Sequence, residues 1–197
     1  SVLGIAIYLW LAGTYPDFIT ALRFSAFNVV SIATTTGFSS TDYALWPFFA
    51  PLWMLFLCSF VTCAGSTGGG IKMMRAIIVF RQLMSEVVRT VHPNAMRTVM
   101  LADAALPNKI VFAVLAFSFA YMAIIVSLTL LMVFSGLDVI TGFSAVVVSF
   151  NNTGPGLGAV GPATTFKSLS DFQTWLCSFA MLLGRLEIFT LLVVLSP

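Results

Sequence analysis

Residues 110–134 carry no charge and are apolar almost throughout. At ~1.5 Å of rise per residue, a helix of this length crosses a hydrocarbon core of about 30 Å with some tilt, so a spanning helix is predicted there. Residues 172–195 are of similar length but contain Arg185 and Glu187, charges that lipid tolerates only when they face protein or water. Residues 47–62 are apolar but shorter, and they run into Cys63-Ala64-Gly65-Ser66-Thr67-Gly68-Gly69-Gly70. Each glycine costs a helix about 1 kcal/mol relative to alanine, so the helix ends in this stretch. A helical pattern with Lys72, Arg75, Arg81 and Arg89 resumes over 71–89 and stops near His92-Pro93. A second spanning helix, broken midway, is therefore predicted. Residues 1–11 read as the end of a hydrophobic helix, which places the start inside a longer chain.

Two further apolar segments, 17–33 and 138–150, are too short to cross. Each opens on an aspartate suited to a helix N-cap, Asp17 and Asp138. Each ends in a polar stretch with glycine, Thr34-Thr35-Thr36-Gly37-Phe38-Ser39-Ser40 and Asn151-Asn152-Thr153-Gly154-Pro155-Gly156. Irregular backbone at membrane depth is tolerated only when buried in protein or beside a water-filled cavity, so these segments read as re-entrant pore helices followed by loops. An offset of 117 residues places Val29 on Val146, Val30 on Val147, Thr36 on Thr153 and Gly37 on Gly154. Identity is thin, but the order of elements repeats: helix, short helix, glycine loop, helix. The predicted fold is an all-α membrane protein built from two such units, the first with a truncated leading helix.

Composition agrees. Of 197 residues, 59% are hydrophobic and 8% charged, against roughly 25% charged in an average soluble domain, and mean hydropathy is +1.04. Most of the Lys and Arg fall between Lys72 and Lys109; only Arg23, Lys167 and Arg185 lie elsewhere. Basic segments between spanning helices are retained in the cytoplasm, which puts 72–109 inside and both glycine loops outside. The carboxyl ends of the short helices then point toward the membrane centre, where their partial negative charge favours a cation. Topology accounts for the basic segment, so nucleic acid is not an expected partner. Cys58, Cys63 and Cys177 lack the spacing of a zinc site and read as buried apolar residues. Arg23 reads as structural, with Asp42 or a neighbouring repeat as its candidate partner.

Thr35-Thr36-Gly37 and Asn152-Thr153-Gly154 each place small polar residues before a glycine. A filter that strips water from a monovalent cation needs main-chain carbonyls facing one axis, supplied by residues in alternating or left-handed dihedrals, which glycine adopts at low steric cost. The run Gly65-Ser66-Thr67-Gly68-Gly69-Gly70 is not a phosphate-binding loop, because Ile71 separates the last glycine from Lys72. It reads as a flexible break in a helix. The offset sets Arg185 opposite Gly68, about 21 Å below Asp171 at ~1.5 Å per residue, so a cation and the glycine loop meet beneath the predicted filter. Arg185 is read as a barrier facing the pore; Glu187 lies two positions away and does not share its helix face.

Four motifs resemble the TrkH and KtrB family of potassium-uptake proteins, TrkH most closely: Ala33-Thr34-Thr35-Thr36-Gly37-Phe38, the Cys63 to Lys72 stretch, Asn151-Asn152-Thr153-Gly154-Pro155-Gly156-Leu157-Gly158 and Gly184-Arg185-Leu186-Glu187-Ile188-Phe189-Thr190. The resemblance implies four helix, pore-loop, helix repeats around one potassium pathway, of which residues 1–90 are the third and 109–197 the fourth. Residues 63–72 are then the intramembrane gate loop (Gly65, Ser66, Thr67, Gly68, Gly69, Gly70) and 91–108 a cytoplasmic linker. Potassium would bind main-chain oxygens of Thr35, Thr36 and Gly37 and of Asn152, Thr153 and Gly154, with Arg185 as the pore barrier. Asn152 and Pro155 depart from a potassium channel's threonine-rich signature and break the filter's symmetry.

The resemblance also implies a bacterial or archaeal inner-membrane location, a homodimer, the missing first and second repeats of the same chain, and a cytoplasmic nucleotide-binding ring of the TrkA type. No covalent cofactor is expected, only potassium as the transported ion, moved by channel conduction or coupled symport. The competing reading is a secondary carrier whose substrate site is the broken helix at 65–70. An enzyme is not expected, because the chain has a single histidine and no paired carboxylates.

Overall fold

The computed structural model describes residues 1–60, 69–92, 100–101 and 104–186. It is all-helical apart from an antiparallel pairing of Met100–Leu101 with Ala104–Ala105. The helices are α1 (Val2–Leu11), α2 (Phe18–Ala33), α3 (Phe49–Phe60), α4 (Met73–Val91), α5 (Asn108–Phe134), α6 (Val139–Asn151) and α7 (Asp171–Arg185). The order is the predicted one: α1, α2, loop, α3 and then, after α4, α5, α6, loop, α7.

Among the described residues α5 has both the length, 27 residues, and the apolar composition to cross a membrane. Its buried residues Val111, Val114, Phe117, Tyr121, Ile125, Leu128 and Met132 recur at three- and four-residue spacing, one stripe of a helix. Its other faces leave Phe112, Phe119, Val126, Leu130 and Phe134 exposed. A helix apolar all round with one packed stripe suits lipid on the remaining sides. Helix α4 is different: it is amphipathic, buries Ile78 and Ser85, and lies on α5 with the Arg75 guanidinium 4.1 Å above the Phe117 ring.

Helix α6 sits at the centre, packed between α3, α5 and α7, and every residue from Ser144 to Asn151 is buried. Helix α7 starts on a capping box in which Ser170 and Gln173 satisfy each other's main chain; the Gln173 amide also donates to the Ser135 hydroxyl, 2.9 Å away at the end of α5. Asp138 caps α6 through the Ile140 N–H at 3.2 Å. Asp17 occupies the cap position of α2, but its side chain makes no capping bond. Nor does Asp42 pair with Arg23; its carboxylate accepts from the Ala44 N–H and starts a short 3-10 turn over Tyr43–Leu45. Cys58 and Cys177 are buried thiols, as expected; Cys63 lies outside the described residues.

Candidate functional site

The two glycine loops leave their helices in one conformation. After α2, the Thr35 N–H donates to the Ile32 carbonyl (3.1 Å) and the Thr36 N–H to the Ser31 carbonyl (2.8 Å). After α6, the Asn152 N–H donates to Ser149 (3.1 Å) and the Thr153 N–H to Val148 (2.9 Å). The 117-residue offset maps both of these bonds of one turn onto those of the other. Both are Schellman-type helix ends, and the residue that turns left-handed is not glycine in either: Thr35 and Asn152 each have φ of 55°. Threonine is branched at Cβ, so this conformation is a genuine outlier, held by the surrounding bonds. Two residues on, Gly37 and Gly154 are left-handed again, at φ 84° and 111°. Thr36 and Thr153, between them, are not. Residues of positive φ thus alternate with one of ordinary φ at equivalent positions of both loops.

The stretch after each glycine is tied back to its own short helix. The Ser40 N–H donates to the Asn28 side chain at 3.1 Å, and the Leu157 N–H donates to the Ser144 hydroxyl at 3.0 Å. Positions 40 and 157 are again equivalent, although asparagine does the work in one unit and serine, one place off the repeat register, in the other. Asn28 and Ser144 are completely buried. Sequence alone singles out neither, because one polar residue among several in a mostly apolar helix does not announce its partner. The signal available was the cost of burying it unpaired.

The loops also touch each other. A Cβ built on Gly37 would collide with the Thr153 carbonyl oxygen, and one built on Gly154 would lie 3.9 Å from the Gly37 Cα. Outside this contact the buried Tyr43 hydroxyl donates to the Pro155 carbonyl at 3.2 Å, a cross-unit bond that sequence reading also missed. Burial pushes the Tyr43 phenol above its ordinary range, so it is a neutral donor at physiological pH. The stability it adds is constant below the unfolded phenol's pKa of about 10 and is lost only as pH climbs past that toward the folded value. Tyr43→Phe is expected to lower stability by about 1 kcal/mol, measured as a shift in the thermal unfolding midpoint at neutral pH; an unchanged midpoint would show that the bond contributes nothing.

Gly65, Ser66, Thr67 and Gly68 lie outside the described residues. Gly69 and Gly70 are placed against the end of α6: the Gly69 N–H donates to the Asn151 carbonyl at 3.3 Å, and the Ile71 N–H to the Ser59 carbonyl at 2.9 Å. Arg185 is exposed at the last turn of α7. Its neighbour Gly184 approaches α6 so closely that a Cβ there would collide with the Phe150 carbonyl, and the Asn152 amide donates to the Met181 carbonyl at 3.3 Å. The second loop, the end of the glycine run and the start of the Arg185 motif therefore meet around one helix end. Thr34, Thr36 and Gly154 remain exposed, so the paired loops present an open side. Among the described residues no cluster of His, Cys, Asp and Glu is arranged to hold a metal ion.

Known proteins share this fold. A family model described as TrkH, cation transport protein, matches residues 16–197. The Trk system potassium uptake protein TrkH of Salmonella typhimurium is 42% identical over 189 residues, covering 96% of this chain and 39% of its own length. The Vibrio parahaemolyticus TrkH is 44% identical over 171 residues, 87% of this chain and 35% of its own. The crystal structure of the potassium transporter TrkH from Vibrio parahaemolyticus matches with a TM-score of 0.91 at 41% identity, covering 100% of this chain and 42% of that one. The chain thus spans well under half the length of the relatives it matches. With a family match over nearly its whole length and a helical fold in common, the chain belongs to the TrkH cation transport family.

Proposed function

We propose that this chain supplies two of four loops of a cation filter in a potassium-uptake protein, with the loops facing outside and 72–109 facing the cytoplasm. One observation carries the reading: two contacting loops place residues of positive φ at alternate, equivalent positions, Thr35 and Gly37 in one and Asn152 and Gly154 in the other. Such alternation turns successive carbonyls to one side of the strand, the requirement for replacing an ion's hydration shell. Main-chain oxygens of 35–37 and 152–154 would bind potassium. The exposed side of the loops is where the first and second repeats complete the ring. The names of the relatives, potassium uptake proteins, support potassium as the ion.

In this reading the loop at 65–70 is the gate and Arg185 a cationic barrier beside it. A second copy of the chain and a nucleotide-binding ring of the TrkA type on the cytoplasmic face complete the assembly. The test is rubidium uptake into vesicles holding the full-length parent, with sodium as competitor. Gly154→Ser is expected to weaken the preference for rubidium over sodium. Arg185→Ala is expected to raise flux by about tenfold, the equivalent of lowering a barrier by ~1.4 kcal/mol. If both variants keep wild-type flux and preference, the loops are not a filter and the carrier with a broken-helix site replaces this reading.

A further inference from the structure

We propose that Asn151 is a positioning residue that fastens the carboxyl end of the glycine loop to the filter-bearing helix α6, so that the state of the loop and ion preference at 152–154 are set together. The inference rests on the pore reading above.

Asn151 is completely buried and immediately precedes the left-handed Asn152. Its amide donates to the Ser59 hydroxyl at 3.2 Å and to the Cys58 sulfur at 3.5 Å, both on α3. Its side-chain oxygen accepts from the Tyr121 hydroxyl of α5 at 3.2 Å, and its main-chain carbonyl accepts from Gly69. One side chain and its own peptide therefore join α3, α5, α6 and the loop. The fit leaves no slack. A Cβ on Gly69 would come within 2.6 Å of the Phe150 carbonyl, and one on Gly70, at φ 87°, within 2.5 Å of the Asn151 Oδ1 and 2.8 Å of the Ser59 carbonyl.

Among the described residues the first unit shows no such device. Its equivalent residue, Thr34, is exposed and bonds within its own turn, to the Val30 carbonyl at 2.7 Å and the Thr36 hydroxyl at 2.9 Å. The fastening is one-sided, made to the fourth loop and not the third. A displacement of the loop end past Gly69 must strain or break bonds to the residue from which the 152–154 turn departs. That is a physical route from gate to filter through a single buried network.

The experiment compares rubidium flux, the rubidium to sodium flux ratio and the thermal unfolding midpoint of the full-length parent in vesicles of phosphatidylethanolamine and phosphatidylglycerol. Asn151→Leu keeps the side chain's size and removes its bonds to Ser59, Cys58 and Tyr121, so that the main-chain carbonyl holding Gly69 loses its anchorage to α3 and α5; it is expected to change the flux ratio by about fivefold, the low end of measured coupling between sites. Tyr121→Phe keeps the ring and its edge contact with Phe150 while removing one bond, so it tests the same link even where Asn151→Leu does not fold. It is expected to move the ratio in the same direction by about twofold, the worth of one weak hydrogen bond. The double variant should match Asn151→Leu alone. Gly154→Ser serves as the filter control. If it changes the ratio while Tyr121→Phe and Asn151→Leu lower only the unfolding midpoint, Asn151 is structural and the inference fails with the filter reading intact. If Gly154→Ser also leaves the ratio unchanged, the filter reading fails and takes this inference with it.

Discussion

Serine at position 37 is expected to abolish rubidium uptake by the full-length parent, whereas serine at the equivalent position 154 leaves a folded protein that conducts with weakened preference. Both glycines have positive φ, so any side chain costs about 1–2 kcal/mol in backbone strain. The difference is space. A Cβ on Gly37 meets the Thr153 carbonyl, while one on Gly154 finds nothing nearer than 3.9 Å. The first substitution pushes the two loops apart at their contact, and the second perturbs one loop alone. The check is rubidium and sodium uptake in vesicles for both variants, with expression in the membrane verified. Equal losses would mean that the Gly37 contact with Thr153 has no part in conduction.

The second large effect reverses a general rule. Glycine to alanine inside a helix normally stabilises by about 1 kcal/mol, and Gly184 lies near the end of α7. Here the added methyl would enter the Phe150 carbonyl at the end of α6. Over-packing of this kind costs about 1–3 kcal/mol, and the colliding group is main chain, which yields less readily than a side chain. Gly184→Ala is therefore expected to destabilise the protein by about 2 kcal/mol and to displace Arg185 with the end of α7. Thermal unfolding in detergent measures it. A midpoint that rises would show that α6 and α7 do not approach this closely.

Much of this arrangement can be read from the chain before any coordinates. The long uncharged run gives α5, the short apolar runs give α2 and α6, and the 117-residue offset places Gly37 and Gly154 in equivalent loops. What sequence does not carry is which polar atoms meet. Asn28 and Ser144 bond to the loop after their own helix, while Asn151, Tyr43 and Tyr121 find partners on other helices or across the repeat, and nothing in the local sequence pairs them. Of the two candidate anchors for Arg23, Asp42 is ruled out because its carboxylate takes the Ala44 N–H two residues away. Asp17 shows that a good capping residue in the right place need not make the bond. The repeat itself is better preserved in backbone than in side chains, since Thr35 and Asn152 differ chemically yet hold one dihedral.

That shared helix end has a consequence for stiffness. The left-handed turns at Thr35 and Asn152 and the returns at Ser40 and Leu157 are held by the chain's own hydrogen bonds. Loops built this way are preorganised: their curvature is set by bonds to the short helices and does not depend on what faces them. On the filter proposed above, selectivity then comes from a cage shaped by the protein, and a substitution that loosens Asn28 or Ser144 softens that cage without touching a carbonyl in it.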